Sequence, residues 1–228
     1  MEITWFGETC IRLKGREGVV AADAYRTVVG PTGRGMTADV VTYSHADPAE
    51  PPRPGTKAAK SAVAASDGLG IIRPTSLEPA FPLDAPGEYE VHEVLITGVR
   101  TYRDEERGAE RGLNTAFVVE LDGLHAVHLG DVGHPLTEEM LGEIGQVQIA
   151  CVPVGGALSP ARAAEMVAAL DASLVVPMPT GDDPDGALAR FLKEMNVTDP
   201  QPVAKLTVSI STVPQETTVI VLDSRGNR

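Results

Sequence analysis

Cysteine is nearly missing from this chain. Its 228 residues hold two, Cys10 and Cys151, far apart. That fits reduced, buried thiols in a cytoplasmic protein rather than a disulfide framework. Long hydrophobic runs are missing too. The longest, such as Val147 to Val154, are strand-sized, so no transmembrane helix is expected. The first residues, Met1-Glu2-Ile3-Thr4-Trp5, carry no basic stretch and read as a strand rather than a signal peptide. Basic residues are few: 19 Lys and Arg stand against 32 Asp and Glu, a formal charge of −13. Nucleic-acid affinity rests on neutralising phosphates, and binding to anionic lipid rests on polybasic patches, so neither nucleic acid nor membrane is an expected partner. The acidic surface is read as a solubility device. Aromatic content is only 4%, with many Ala, Gly and Pro residues, a composition that suggests a GC-rich bacterial genome.

What is present is ordinary for a globular domain. The chain is 43% hydrophobic and 22% charged, enough for a sizeable core over residues 1–228 as a single domain. Short β-rich runs open it: Ile3 to Phe6, Cys10 to Leu13, Gly18 to Ala22 and Val40 to Tyr43. Residues 48–86 then turn rich in Pro, Ala and Gly and read as an insertion or loose loop, with a short helix at Lys57 to Ala65 and a covering role over any nearby cleft. Strands resume at Tyr89 to Val91, Val94 to Val99, Thr115 to Leu121 and Leu124 to Leu129. Asp122-Gly123 joins the last two as a hairpin turn, since Gly tolerates φ > 0. The second half alternates helix and strand. Thr137 caps a helix to Ile144, Ser159-Pro160 starts one through Leu170, and a third covers Asp185 to Met195. Val147 to Val152 and Leu174 to Pro177 frame the middle helix as a parallel βαβ unit. Leu206 to Ile210 and Thr217 to Leu222 close the chain. Mixed β and βα halves point to an α/β sandwich: two sheets packed together with helices outside.

The run Ala38-Asp39-Val40-Val41-Thr42-Tyr43-Ser44-His45-Ala46-Asp47-Pro48-Ala49-Glu50 resembles the metal-binding strand end of the metallo-β-lactamase superfamily, written there His-x-His-x-Asp-His. Other stretches follow in order, each weak alone and specific together. They include Trp5-Phe6-Gly7-Glu8-Thr9-Cys10, Asp84 to Val91, Ile96 to Tyr102, Gly112 to Thr115, His128 to His134, Val152 to Gly156 and Val176 to Pro179. The resemblance covers nearly the whole chain and points to the family's small bacterial branch of Zn-dependent-hydrolase-like proteins. It implies an αββα sandwich of two mixed sheets.

In active relatives, imidazoles and carboxylates at strand ends hold one or two Zn²⁺, which make hydroxide from water near neutrality. Carried over position by position, the resemblance implies that this ligand set is degenerate. His45 keeps the first ligand and Asp131 the bridging carboxylate. Asp47 and Glu50 replace histidines with carboxylates. Ala49 replaces the aspartate, Arg103 and Pro179 replace histidines, and Glu8 replaces a histidine near the site. Ala49, Arg103 and Pro179 cannot ligate a cation. A guanidinium is permanently charged and has no lone pair to give. If Arg103 projects inward, it is expected to pair with Asp131 or Asp47, a protein cation in place of a metal.

Other chemistry-bearing residues read as structural. His125 and His128 lie an odd number apart on a strand and face opposite sides, so with His134 they form no simple metal site. Cys10 has no neighbouring His to activate it and reads as a small buried hydrophobe. Ser44-His45 and Ser159 show no triad order. Gly155-Gly156 lacks the Lys of a phosphate loop and reads as a tight turn.

The expectation is a metallo-β-lactamase-fold protein that has lost its metal centre and its hydrolase activity. It would bind or scaffold through the old cleft, with a small anionic ligand as one occupant, no cofactor, and a homo-oligomer left open. The alternative is a hydrolase with a rebuilt one-metal site, Zn or Mn, around His45, Asp47, Glu50 and Asp131.

Overall fold

The computed structural model describes residues 1–46 and 71–224. Asp47, Ala49, Glu50 and the helix expected at 57–65 lie outside them. Two sheets carry the fold. The first joins β1 (Glu2–Gly7), β2 (Cys10–Lys14), β3 (Val19–Ala22), β4 (Val40–Thr42), β5 (Phe81–Leu83) and β12 (Leu206–Thr207) in the order β12-β1-β2-β3-β4-β5. The second joins β6 (Gly87–Val91), β7 (Val94–Tyr102), β8 (Leu113–Leu121), β9 (Leu124–His128), β10 (Ile149–Gly155), β11 (Leu174–Thr180) and β13 (Thr218–Val219) in the order β13-β11-β10-β9-β8-β7-β6. Each sheet is antiparallel on one side and parallel on the other.

Alternation along the strands builds the layers. Ile3, Ile11, Leu13 and Val20 face Ile96, Phe117, Val119, Cys151, Val176 and Met178 across the inter-sheet core. The opposite face of the second sheet, with Val127, Val152, Val154 and Val175, packs under α2 (Glu138–Ile144), α3 (Pro160–Leu170) and α4 (Pro184–Glu194) through Ile144, Ala163, Val167, Phe191 and Leu192. On the outer face of the first sheet, Ala21, Val41 and Tyr43 pack with Tyr25, Leu77 and Val29 of the short helix α1 (Arg26–Val29). The layers are therefore the expected αββα. Thr137 and Ser159 cap their helices as expected, their side chains accepting from Met140 N and Arg162 N. Asp122 and Gly123 both have positive φ, as a tight hairpin turn requires. Among the described residues no helix is long and apolar enough to cross a membrane.

The last part of the stretch expected to be loose, residues 48–86, lies within the described residues. Residues 71–86 are built into the fold: Leu77 and Leu83 are buried, Arg73 ties the turn to the Leu77 and Ala80 carbonyls, and β5 pairs in parallel with β4. Pro82 disguised this strand. A proline cannot donate to a ladder, yet β5 lies at the sheet edge, where one side needs no partner.

The strand ends gather the functional residues. β3 ends before Asp23, β4 before Ser44 and His45, β7 before Arg103, β9 before Asp131, and β11 with Thr180. Thr115 N donates to Ser44 O across the two sheets at 2.8 Å. At Gly130, with φ of +62°, a Cβ would collide with Ser44 and Asn114, so only glycine allows so close an approach.

Candidate functional site

A cleft of about 310 Å³ opens at this end of the sandwich. Among the described residues, Glu8, Thr9, Tyr25, Thr27, Val28 and His45 of the first half of the chain line it together with Arg103, Arg111, Asp131, Gly156, Thr180 and Gly181 of the second.

His45 is held by a buried network. The Asp23 carboxylate, fully buried, accepts from Ser44 N at 2.7 Å and Ser44 Oγ at 2.6 Å. A carboxylate only accepts, so the Ser44 hydroxyl spends its proton there. Its oxygen then takes the Nδ1–H of His45, 2.8 Å away. The bond pattern therefore assigns His45 the Nδ1–H tautomer and leaves Nε2 with a lone pair. The Tyr25 hydroxyl fixes the backbone here, donating to His45 O at 2.6 Å and accepting from His45 N at 3.2 Å. Burial lowers the His45 pKa; the charge of Asp23 opposes that shift and Arg103 adds to it. Serine sits between the acid and the imidazole, buried and with its proton committed, so this is no nucleophilic triad.

Arg103 turns inward. Its Nε donates to Asp131 Oδ2 at 2.8 Å, its Nη2 lies 2.7 Å from the same oxygen, and its Nη1 donates to Arg111 O at 3.1 Å. Pairing with Asp131, one of the two expected partners, is thus what the structure shows; Asp47 lies outside the described residues. Asp131 is held from behind, its N–H donating to the buried Asn114 side chain at 3.1 Å. The loop carrying both arginines is wrapped on Asp104, whose carboxylate accepts the N–H groups of Glu106, Gly108, Glu110 and Arg111. Desolvation raises the Asp104 pKa, but these backbone bonds outweigh it and hold the carboxyl below its ordinary value. Arg162 and Glu105 pair on the outer side of the loop.

Glu8 stands where chain direction reverses, with φ of +46°. The Trp5 indole N–H donates to its carbonyl at 2.7 Å, and the Gly181 N–H reaches its carboxylate. Burial, then the nearby charge of Asp131, raises its pKa. Pro179 does not line the cleft; its neighbour Thr180 does, two residues beyond Met178 of the inter-sheet core and on the same strand face. Thr180 is 5% exposed, and its hydroxyl has no hydrogen-bond partner among the described residues.

The remaining candidates are structural. Buried His128 bonds Thr9 O, His134 bonds Pro135 O and accepts from Tyr102 N, and exposed His125 faces Glu120. Cys10 and Cys151 are free and buried; burial pushes the Cys151 thiol to about 12 and that of Cys10 higher still. Gly155 and Gly156 form a turn closed by reciprocal bonds between Gly155 and Leu158. Sequence reasoning missed Asp23, Tyr25, Ser44's bonds, Arg111 and Thr180. The available signal was their position, each at or just beyond a strand end or loop carrying an assigned residue.

Among the described residues the donor set does not fit the metal that the fold family implies. Among the described residues no three His, Cys, Asp or Glu side chains come together as ligands. His45 and Asp131 are two, and the oxygen of Asp131 that would serve carries a guanidinium.

The profile of the beta-lactamase superfamily domain matches residues 2–179. Two archaeal proteins named metal-dependent hydrolases are similar. One from Methanoculleus marisnigri is 28% identical, covering 78% of this chain and 80% of its own. One from Thermoplasma acidophilum is 27% identical, covering 78% and 82%. A crystal structure described as a Zn-dependent hydrolase of the metallo-β-lactamase superfamily, from Thermotoga maritima, superposes with a TM-score of 0.70 at 29% identity over 97% of both chains. A metallo hydrolase of Ignicoccus hospitalis shares the fold, at 17% identity and a TM-score of 0.59 over 91% and 99%. The strand order, the cleft at the strand ends and these matches agree: the chain belongs to the β-lactamase superfamily, on its metallo-β-lactamase fold.

Proposed function

We propose that this protein has exchanged the metal of its family for the guanidinium of Arg103. It is then a cytoplasmic, non-catalytic member that binds a small ligand bearing an anionic group in the cleft. One observation carries this reading: two nitrogens of Arg103 lie 2.8 and 2.7 Å from one oxygen of Asp131. Both side chains are only slightly exposed, so the pair answers a charge that would otherwise be costly to bury. With its cation built in, the carboxylate has no call for a second one, and Arg111 remains at the cleft to attract an anion.

The test is metal content, measured by elemental mass spectrometry on untagged protein after exposure to Zn and Mn. The reading expects less than about a tenth of an equivalent, because a held catalytic metal needs about three protein ligands. About one equivalent, lost in His45→Ala or Asp131→Asn, overturns it.

A second reading has its own support. The free Nε2 of His45 suits a metal as well as a hydrogen bond, and the archaeal relatives are named metal-dependent hydrolases. Under it, His45, Asp47 and Asp131 would hold one Zn or Mn ion, with Arg103 displaced. Arg103→His separates the two readings. If the guanidinium is what excludes metal, the variant takes up Zn where the parent does not; if a metal is already held, the variant gains none.

A further inference from the structure

Arg103 holds Asp131 closely, and among the described residues two further charged side chains line the cleft, Arg111 and Glu8. Arg111 stands on the 103–112 loop, 3.8 Å from an Asp131 oxygen that Arg103 already holds. Glu8 lines the same cleft; its carboxylate receives a backbone N–H from Gly181, and no cation pairs with it among the described residues. Both side chains line the same cleft of about 310 Å³.

A third group points to an occupant. The Thr180 hydroxyl is buried, belongs to a residue that lines the cleft and has no partner among the described residues. A buried hydroxyl left unmatched is costly, and native proteins rarely keep one without a use. The space beside it is kept open by the main chain. A Cβ at Gly156, where φ is +59°, would come within 2.9 Å of that hydroxyl and 3.9 Å of Asp131 Oδ1. Any side chain there would fill the ground between Thr180 and Asp131.

From these three groups we infer that the cleft takes a small amino carboxylate. Its carboxylate meets Arg111, its ammonium meets Glu8, and its body passes Thr180 and Gly156. Planar two-pronged pairing suits a guanidinium and a carboxylate. A ligand with only negative charge would answer Arg111 but bring repulsion from Glu8 and Asp131. A phosphate dianion would bring more, with the Arg111 guanidinium to offset it. A ligand carrying both signs answers both Arg111 and Glu8. This inference rests on the metal-free reading of the cleft, since a cation at Asp131 would change the count of charges.

Isothermal titration with glycine, β-alanine and 4-aminobutanoate, which separate the two charges by increasing lengths, tests it against propionate and inorganic phosphate. At least one amino acid is expected to bind about tenfold or more tighter than propionate, each charged hydrogen bond being worth that much. Glu8→Gln should remove the preference while leaving weak propionate binding, and Arg111→Gln should abolish both. Thr180→Val, close in shape to the parent, should weaken the amino acid several-fold. Phosphate or propionate binding as tightly as every amino acid overturns the inference. So does amino-acid binding indifferent to Glu8→Gln and Arg111→Gln, two exposed positions whose variants are expected to fold. Metal analysis of the same samples keeps the two readings apart. An equivalent of metal in the samples refutes the metal-free reading and, with it, the charge count behind the subsite, whichever probe binds. No binding of any probe by metal-free protein refutes the subsite and leaves the ion pair in place.

Discussion

The two sides of the cleft are built on opposite principles. Around His45, everything is buried and neutralised by hydrogen bonds: Asp23, Ser44 and Tyr25 lock one ring in one tautomer. Around Arg103, the chain is a half-exposed loop whose backbone folds around a single carboxylate, Asp104, and whose arginines reach inward from it. The first side is a scaffold ready for a ligand of any kind, metal included. Under the function proposed above, the second side decides which kind it is, the loop changing the chemistry of the cleft while the buried half stays fit for a metal.

Removing Asp23 should do most to break the contrast. Asp23→Ala leaves Ser44 N–H and its hydroxyl without an acceptor in a closed interior, and a loss of about 3 kcal/mol is expected in urea unfolding. Nitrogen NMR of His45 should then show the ring no longer fixed as Nδ1–H. Asp23→Asn, which can still accept and tolerates the positive φ of 50° at this position, should lose less. Arg103→Gln comes next. The pair is 15% and 12% exposed on its two sides, so water still reaches it, and about 1.5 kcal/mol is expected.

The same ring reads both sides at once. His45 should titrate below the ordinary 6.5, because burial disfavours the imidazolium. Arg103→Gln should move that value up and Asp23→Asn should move it down, since the two charges act on the ring in opposite directions. A histidine with a lowered folded-state pKa contributes stability that is lost as pH falls from 6.5 through the folded value. Proton NMR titration of the three proteins checks the order; equal values would sink the contrast.

Smaller effects probe the loop. The depressed Asp104 pKa means its contribution is present above the ordinary 3.8 and disappears as pH falls through the lower folded value. Asp104→Asn should accordingly loosen residues 103–112 at neutral pH, seen as faster amide exchange at Gly108 and Arg111, while leaving the sheets protected. Glu8→Gln is the mildest. The raised Glu8 pKa makes its ionised form a slight liability, so the wild type loses stability as pH rises through the folded value. The variant should melt slightly above it at neutral pH, and the gap should close below the ordinary 4.5.

The layers and the inward pairing of Arg103 with Asp131 were legible because each rests on local signals. Strand alternation, helix caps and the Asp122-Gly123 turn are written within a few residues. The charge of Arg103 forbids ligation whatever surrounds it. The His45 network was not legible, because Asp23 and Ser44 lie 21 residues apart and meet only when β3 and β4 pair. Thr180 was hidden by its neighbour. The sequence match put attention on Pro179, whereas only the built strand shows which of the two residues lines the cleft. β5 was hidden by Pro82, a residue that excludes a central strand but not an edge one.

The cleft straddles a seam. Glu8 and His45 come from the first sheet; Arg111, Asp131 and Thr180 come from the second. Neither sheet alone presents a usable surface, so an occupant recognises only the docked pair and has nothing to bind in the opened chain. Occupancy is then coupled to the whole folding equilibrium. At a hundred times its dissociation constant, a ligand would add about 2.7 kcal/mol. For a domain of this size that is a melting shift of roughly 5–10 °C. A compound library can be ranked by heating alone, with no reaction to follow and no substrate known in advance.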